Sequence, residues 1–129
     1  MGIMIVNSWN EWDPLEEVIV GSAQGATEVA YEPALSPFFT PANQRAETEA
    51  RRIPQELIDD AERQLDDFAK LLAGMGIVVR RPDRIDHGIG VKTPDWQVVG
   101  GHASACPRDV LLVIGSEIIE AYGPASALF

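Results

Sequence analysis

The sequence predicts an α/β domain in which one long helix packs on a mixed sheet of at least four short strands. Three observations carry this reading. A single strongly amphipathic segment fills residues 54–73. Short apolar runs of strand type stand on both sides of it, at 18–20, 77–81, 110–114 and 117–121. The pair Gly115-Ser116 separates the last two runs by the length of a hairpin turn. Strand, irregular segment, helix, strand and hairpin form an α/β order, and no short-period repeat or low-complexity tract competes with it.

The first strand is entered through "NEWDPLEEVIVG", residues 10–21. Asp13-Pro14 is a turn-starting pair, because proline fixes its own φ and biases the residue before it away from helix. Glu16 and Glu17 then lead into Val18-Ile19-Val20, which Gly21 closes. Two tryptophans and several polar side chains crowd this entrance, so it reads either as strand punctuation or as the rim of a polar site. Residues 22–52 follow as a long irregular loop. Pro33, Pro37 and Pro41 forbid a continuous helix or central strand there, and Phe38-Phe39 either anchor the loop or cover something.

Pro54 opens the helix, with Leu57, Ile58, Ala61, Leu65, Phe68, Ala69 and Leu72 as its apolar stripe. Asp59 with Arg63 and Asp66 with Lys70 have i,i+4 spacing, so they are expected to pair on a solvated acidic face. Gly74 or Gly76 supplies the left-handed stop. The runs at 18–20, 77–79 and 110–114 lack clean alternation, which predicts strands buried on both faces. Residues 88–110 are expected to hold no second long helix.

The chain has 129 residues, enough for one domain with a hydrophobic core, read as a single domain over 1–129. Ten basic residues against twenty acidic ones give a formal charge of −10, which argues against nucleic acid and anionic membrane surfaces as partners. The acidity reads first as a solubility feature, and it is compatible with a cationic ligand. One cysteine, Cys106, cannot close an intrachain disulfide, so a reducing, cytoplasmic compartment is expected. The start "MGIMIVNSW" lacks the features of a signal peptide or a myristoylation signal, and no stretch reaches the length of a membrane span.

Candidate chemistry clusters around prolines. "RRPDRIDHG", "VKTPDW" and "SACPRDV" place Asp83, Asp95 and Asp109 near strand ends or in loops, where α/β proteins build binding sites. Asp beside Pro is also ordinary turn chemistry. His87 and His102 lack metal-ligand spacing, and no phosphate loop or dinucleotide fingerprint is present, so neither a metal nor a cofactor is expected. Cys106 with His87 or His102 as base would be a nucleophile pair, but its Ala-Cys-Pro setting fits a packed structural cysteine better.

In order along the chain, "NEWDPLEEVIVG", "VVRRPDRIDH", "VKTPDW", "SACPRDVLLVIG" and "EIIEA" closely resemble the N-terminal part of the glycine/inosamine amidinotransferase family. That family belongs to the guanidino-group-modifying, or pentein, superfamily. The resemblance runs from about Asn7 to Ala121 and is weakest over residues 22–52. It implies a partial pentein-type (α/β propeller) module, and a chemistry that moves an amidino group from L-arginine to glycine, lysine or an aminocyclitol. A cysteine thiolate attacks the guanidinium carbon, and a histidine handles the proton of the leaving amine. The resemblance places Asp109, the aspartate of "PRD", among the carboxylates that contact the amidino group, with Asp95 as a weaker candidate for substrate binding. Asp13, Asp83 and Asp95 match other family motifs and read as turn-shaping, so the opening motif is chiefly structural.

The resemblance also has a limit. After "EIIEA" the family continues with "PMAWRSR" and further modules that carry the catalytic aspartate, the histidine and the nucleophilic cysteine. This chain reads "YGPASALF" there, a divergent tail at 122–129. Neither Cys106 nor His87 occupies a catalytic position of the family, so no catalytic residue is expected in this chain. The expected roles are an amidinotransferase segment that relies on modules supplied elsewhere, or a non-catalytic guanidinium-binding or assembly module. A different pentein activity, deimination or hydrolysis, is the third. A module cut from a closed propeller exposes sheet edges, so self-association as a homo-oligomer, or pairing with a complementing C-terminal chain, is expected.

Overall fold

The computed structural model describes residues 6–28, 51–95, 97–98 and 100–120. The element order is β1 (Glu17–Ile19), α1 (Gln55–Gly74), β2 (Val78–Arg80), β3 (Val91–Lys92), β4 (Gln97–Val98), a 3₁₀ turn (Pro107–Asp109), β5 (Leu111–Ile114) and β6 (Glu117–Glu120). The mixed α/β class is therefore observed. No second long helix crosses the described part of 88–110.

The sheet differs from expectation. Among the described residues the strands form three separate pairs rather than one mixed sheet: β1–β2 parallel, β3–β4 antiparallel and β5–β6 antiparallel. Each pairing follows from its connection. A helical crossover lets β1 and β2 run parallel, with Glu17 opposite Val78 and Ile19 opposite Arg80. Gly115-Ser116 closes β5–β6 with Ile114 opposite Glu117, and Gly115 takes the left-handed φ of 60° at the first turn position. Single bridges outside the strands tie further segments together: Ser8 with Gly115, Ser22 with Ser104 and Thr27 with Arg52. Strands of two to four residues offer too few ladder bonds to merge the pairs.

Helix α1 begins and ends close to the expected bounds. Its stop is Gly76 rather than Gly74. Gly76 has φ 86°, its amide donates to Ala73 O at 3.0 Å, and the Ile77 amide donates to Leu72 O at 3.2 Å. That pair of bonds is the Schellman closure. Gly76→Ala puts a Cβ on a left-handed residue, so it should cost about 1 kcal/mol of stability, read from a denaturant melt followed by helix ellipticity. An unchanged midpoint would show that the closure relaxes freely.

The helix lies against β2. Its buried residue is Ile58, and Ala61, Leu65, Ala69 and Leu72 are half-buried. Leu57 and Phe68, which the stripe reading includes, stay more than half exposed, because they lie to one side of the 58–61–65–69–72 line. The expected i,i+4 pairs do not form either. Arg63 takes Asp60 and Lys70 takes Asp67, both at i,i+3, while Asp59 accepts from Gln55. Asp66 is drawn instead to Arg81, outside the helix. The strands are not buried on both faces. β1, β2 and β5 alternate, and every residue of β6 is exposed.

Among the described residues, the buried apolar side chains are Val20, Ala23, Ala26 and Ile58, which lie in 20–27 and at the start of α1, and Ser22 and Thr27 are buried with them. Residues 22–27 are thus the best-buried stretch rather than a surface excursion. The prolines and phenylalanines at 33–41, and the tail at 122–129, lie outside the described residues.

Candidate guanidino-binding site

A cavity of about 470 Å³ lies between the ends of β1 and β2 and the segment that leads into β5. Ile19 and residues 80–82 form one side, residues 102–107 another, and Asp109 with Val110 and Leu111 the third. Pro107 opens the 3₁₀ turn, which the Asp109 amide closes by donating to Cys106 O at 3.0 Å. This turn puts the Asp109 side chain on the cavity wall just before β5. No side chain among the described residues bonds its carboxylate. The neighbouring Arg108 does not line the cavity and bonds Glu11 at 2.9 Å.

Residues 102–105 form the back wall and are fixed to residues 20–27. The Ser22 amide donates to Ser104 O at 3.0 Å, and the Thr27 amide donates to His102 O at 2.9 Å. His102 Nδ1 donates to Thr27 O at 2.6 Å, since a carbonyl can only accept. His87 is buried and hydrogen-bonded through Nε2 to Ser104 Oγ at 2.9 Å. Burial first, and the nearby His102 second, push the His87 pKa below the usual histidine value, so the ring is neutral at pH 7. Both histidines thus hold the wall, and neither is hydrogen-bonded to Cys106.

Cys106 is exposed, which corrects the expectation of a packed structural cysteine. The backbone alternates here. Ala105 and Pro107 turn inward and are half-buried, leaving the thiol between them on the open side of the cavity.

Asp95 is not brought together with Asp109. It lines a separate pocket of about 230 Å³ with Lys92, Thr93, Pro94 and Gln97, and its amide donates to Thr93 Oγ1 at 3.3 Å in the β3–β4 connection. Asp13 likewise shapes a turn: its amide donates to Asn10 Oδ1, and its carboxylate accepts from Asn10 Nδ2, both at 2.8 Å. Asp83 is exposed and does not line the cavity.

Sequence reading misses a cluster behind the cavity. Glu62, 16% exposed, accepts from Ser22 Oγ at 3.1 Å, from the Ala23 amide at 2.7 Å and from Arg81 Nη2 at 2.6 Å. Arg81 Nη1 also reaches Asp66 Oδ1 at 2.7 Å. The acidic face of α1 is therefore solvated only in part. The available signal was position: Glu62 and Asp66 are one turn apart and border the buried line of Ala61, Leu65 and Ala69. Among the described residues, no group of three or more His, Cys, Asp or Glu side chains could hold a metal ion, and no helix is long and apolar enough to cross a membrane.

Comparison with known proteins agrees with the motif reading. No protein-family model matches the chain. It is 42% identical over 118 residues to an L-arginine:L-lysine amidinotransferase of Pseudomonas savastanoi pv. phaseolicola, covering 89% of this chain and 32% of that protein. Against the mitochondrial glycine amidinotransferase of Xenopus tropicalis, identity is 40% over 124 residues, covering 90% of this chain and 28% of the relative. The solved inosamine-phosphate amidinotransferase of Streptomyces griseus superposes with a TM-score of 0.82 at 35% identity, covering 95% of this chain and 36% of that one. An amidinotransferase of Microseira wollei in the saxitoxin biosynthetic pathway gives a TM-score of 0.77 at 43% identity, covering 90% and 34%. The chain spans about a third of the length of the curated relatives it matches. Over about nine-tenths of its own length, the chain is similar to amidinotransferases of the glycine, inosamine-phosphate and L-arginine:L-lysine types.

Proposed function

We propose that the chain supplies a guanidinium-binding wall for amidino transfer from L-arginine to an amine acceptor, with Asp109 as the contacting carboxylate. The observation that carries this reading is the place of Asp109 on the cavity of about 470 Å³, free of side-chain partners among the described residues. A guanidinium stays charged and presents a planar fork of donors, which a carboxylate meets with paired charge-assisted hydrogen bonds. The transfer itself has two halves. A thiolate adds to the guanidinium carbon, the bond to the departing nitrogen breaks, and that nitrogen leaves as ornithine's amine after taking a proton. The acceptor amine, of glycine, lysine or aminocyclitol type, then displaces the thiolate from the amidino carbon.

Thiol and acid belong, in this reading, to modules of the pentein-type propeller outside the chain. The setting is cytoplasmic, where a lone cysteine stays reduced. The alternative, a non-catalytic guanidinium-binding or assembly module, is favoured by uncovered apolar surface on the β5–β6 hairpin. Leu112 and Ile114 are 50% and 55% exposed, and Ile118 and Ile119 are 45% and 43% exposed. Leu112, Ile114 and Ile119 share one face of the hairpin, since Leu112 stands opposite Ile119, and Ile118 lies on the other; the shared face suits a second copy or a complementing chain.

Calorimetry with arginine tests Asp109. The half-open site should bind weakly, and Asp109→Asn should weaken it about tenfold or more, as expected for a lost charge-assisted pair. Equal binding by both proteins would remove Asp109 from the site. Asp95→Asn, in the separate pocket, should bind as the wild type does.

A further inference from the structure

The charges around the Asp109 cavity are not those of its lining alone. Two arginines, Arg80 and Arg81, and one aspartate, Asp109, face it. By themselves they make a net positive wall, unsuited to a guanidinium. Three carboxylates that do not line the cavity reverse the balance from behind. Glu17 bonds Arg80 at 2.5 Å, and Glu62 and Asp66 bond Arg81 at 2.6 and 2.7 Å. The two arginines are not equivalent. The Arg80–Glu17 pair is well exposed at 66% and 47%, where solvent screens it. Arg81 is 27% exposed and its guanidinium is held by two carboxylates, so its charge acts, and is cancelled, where screening is weaker.

We propose that Glu62 and Asp66 determine the ligand charge this cavity accepts, by holding and neutralising Arg81 so that the wall favours a cationic guanidino group over an anion. They act as positioning residues, through Arg81, and do not touch the ligand. The inference rests on the reading of Asp109 as a guanidinium contact, but its electrostatic content can be measured without arginine.

Cys106 provides the readout. It is the only cysteine in the sequence, it is exposed, and it lies on the same cavity. Its rates of modification by methanethiosulfonates carrying a trimethylammonium or a sulfonate group give a ratio from which intrinsic thiol reactivity cancels. At low salt, Asp66→Asn should lower the cation-to-anion ratio by about threefold or more, and Arg81→Gln should raise it by a similar factor. Both shifts should shrink towards unity in 1 M salt, where the screening length is about 3 Å. Loosened packing alone would move both variants in the same direction. Shifts of the same sign in the two variants, or an unchanged ratio in Asp66→Asn, would overturn the proposal.

Calorimetry with arginine and its neutral isostere citrulline completes the test. Asp66→Asn should weaken arginine and leave citrulline unchanged, whereas an equal loss of both would count against charge selection. Should the wild type bind no arginine while the reagent ratio shifts as stated, the guanidinium reading falls and the electrostatic role of Glu62 and Asp66 stands.

Discussion

Gly21→Ala should destabilise the protein by about 2–3 kcal/mol and disorder the cavity wall, because the added methyl has nowhere to go. A Cβ at Gly21 would lie 2.1 Å from Ala105 O, 2.4 Å from Ala105 C and 2.4 Å from Ser104 O. All three are backbone atoms, so no rotamer change relieves the contact. The φ of Gly21 is not in the left-handed region, and the cost is therefore steric rather than conformational. To admit the methyl, residues 104–105 must move away from the end of β1, breaking the Ser22 amide bond to Ser104 O. Ser104, Ala105 and Cys106 wall the cavity, so arginine affinity should fall together with stability. Denaturant melts and amide exchange at Ser22 measure the two parts. Wild-type stability with a still-protected Ser22 amide would show that the methyl is admitted without separating the two segments, and would overturn the expectation. Gly115→Ala is a useful contrast: its nearest obstacle is the Trp9 ring, a side chain open to solvent, so its cost comes from the left-handed φ of 60° and not from a backbone clash.

The second large effect is an expected absence of reaction. Incubated with arginine and a panel of amines, this chain should release no ornithine and carry no amidino adduct by intact mass. Covalent transfer needs a thiolate within reach of the guanidinium carbon and an acid for the departing amine. The only thiol is Cys106, and neither His87 nor His102 is hydrogen-bonded to it. His102 spends its Nδ1 proton on Thr27 O, and His87 is tied to Ser104. The guanidinium is strongly resonance-stabilised, so a positioning carboxylate leaves most of the barrier standing. Ornithine production that disappears in Cys106→Ser would make Cys106 a nucleophile after all and overturn the expectation.

The helix was legible because its signals are local. A proline at the start, a 3.6-residue apolar period and a glycine stop act within a few residues of one another, so α1 spans Gln55–Gly74 as the pattern requires. The β5–β6 hairpin was legible for the same reason, with Gly115-Ser116 setting its register. Asp109 and Asp95 looked alike in sequence, each an aspartate in a proline-containing loop. The family resemblance ranks Asp109 first, and the fold sets it on the 470 Å³ cavity and Asp95 in a pocket of its own.

The sequence by itself determined the α/β class, the helix, the hairpin and, through five ordered motifs, kinship with amidinotransferases. Each of these is written in short-range spacing. Tertiary structure alone decided which strands pair, which acidic residues of α1 meet water and which meet Arg81, and on which side of the chain Cys106 opens. Those outcomes depend on contacts between residues distant in sequence, such as Arg81 with Asp66, 15 positions apart, or Ser22 with Ser104, 82 apart. An i,i+4 rule assigns Asp66 to Lys70, but a half-buried arginine from beyond the helix offers a planar two-sided partner in a less screened setting. That partner wins, and with it the charge of the cavity is set.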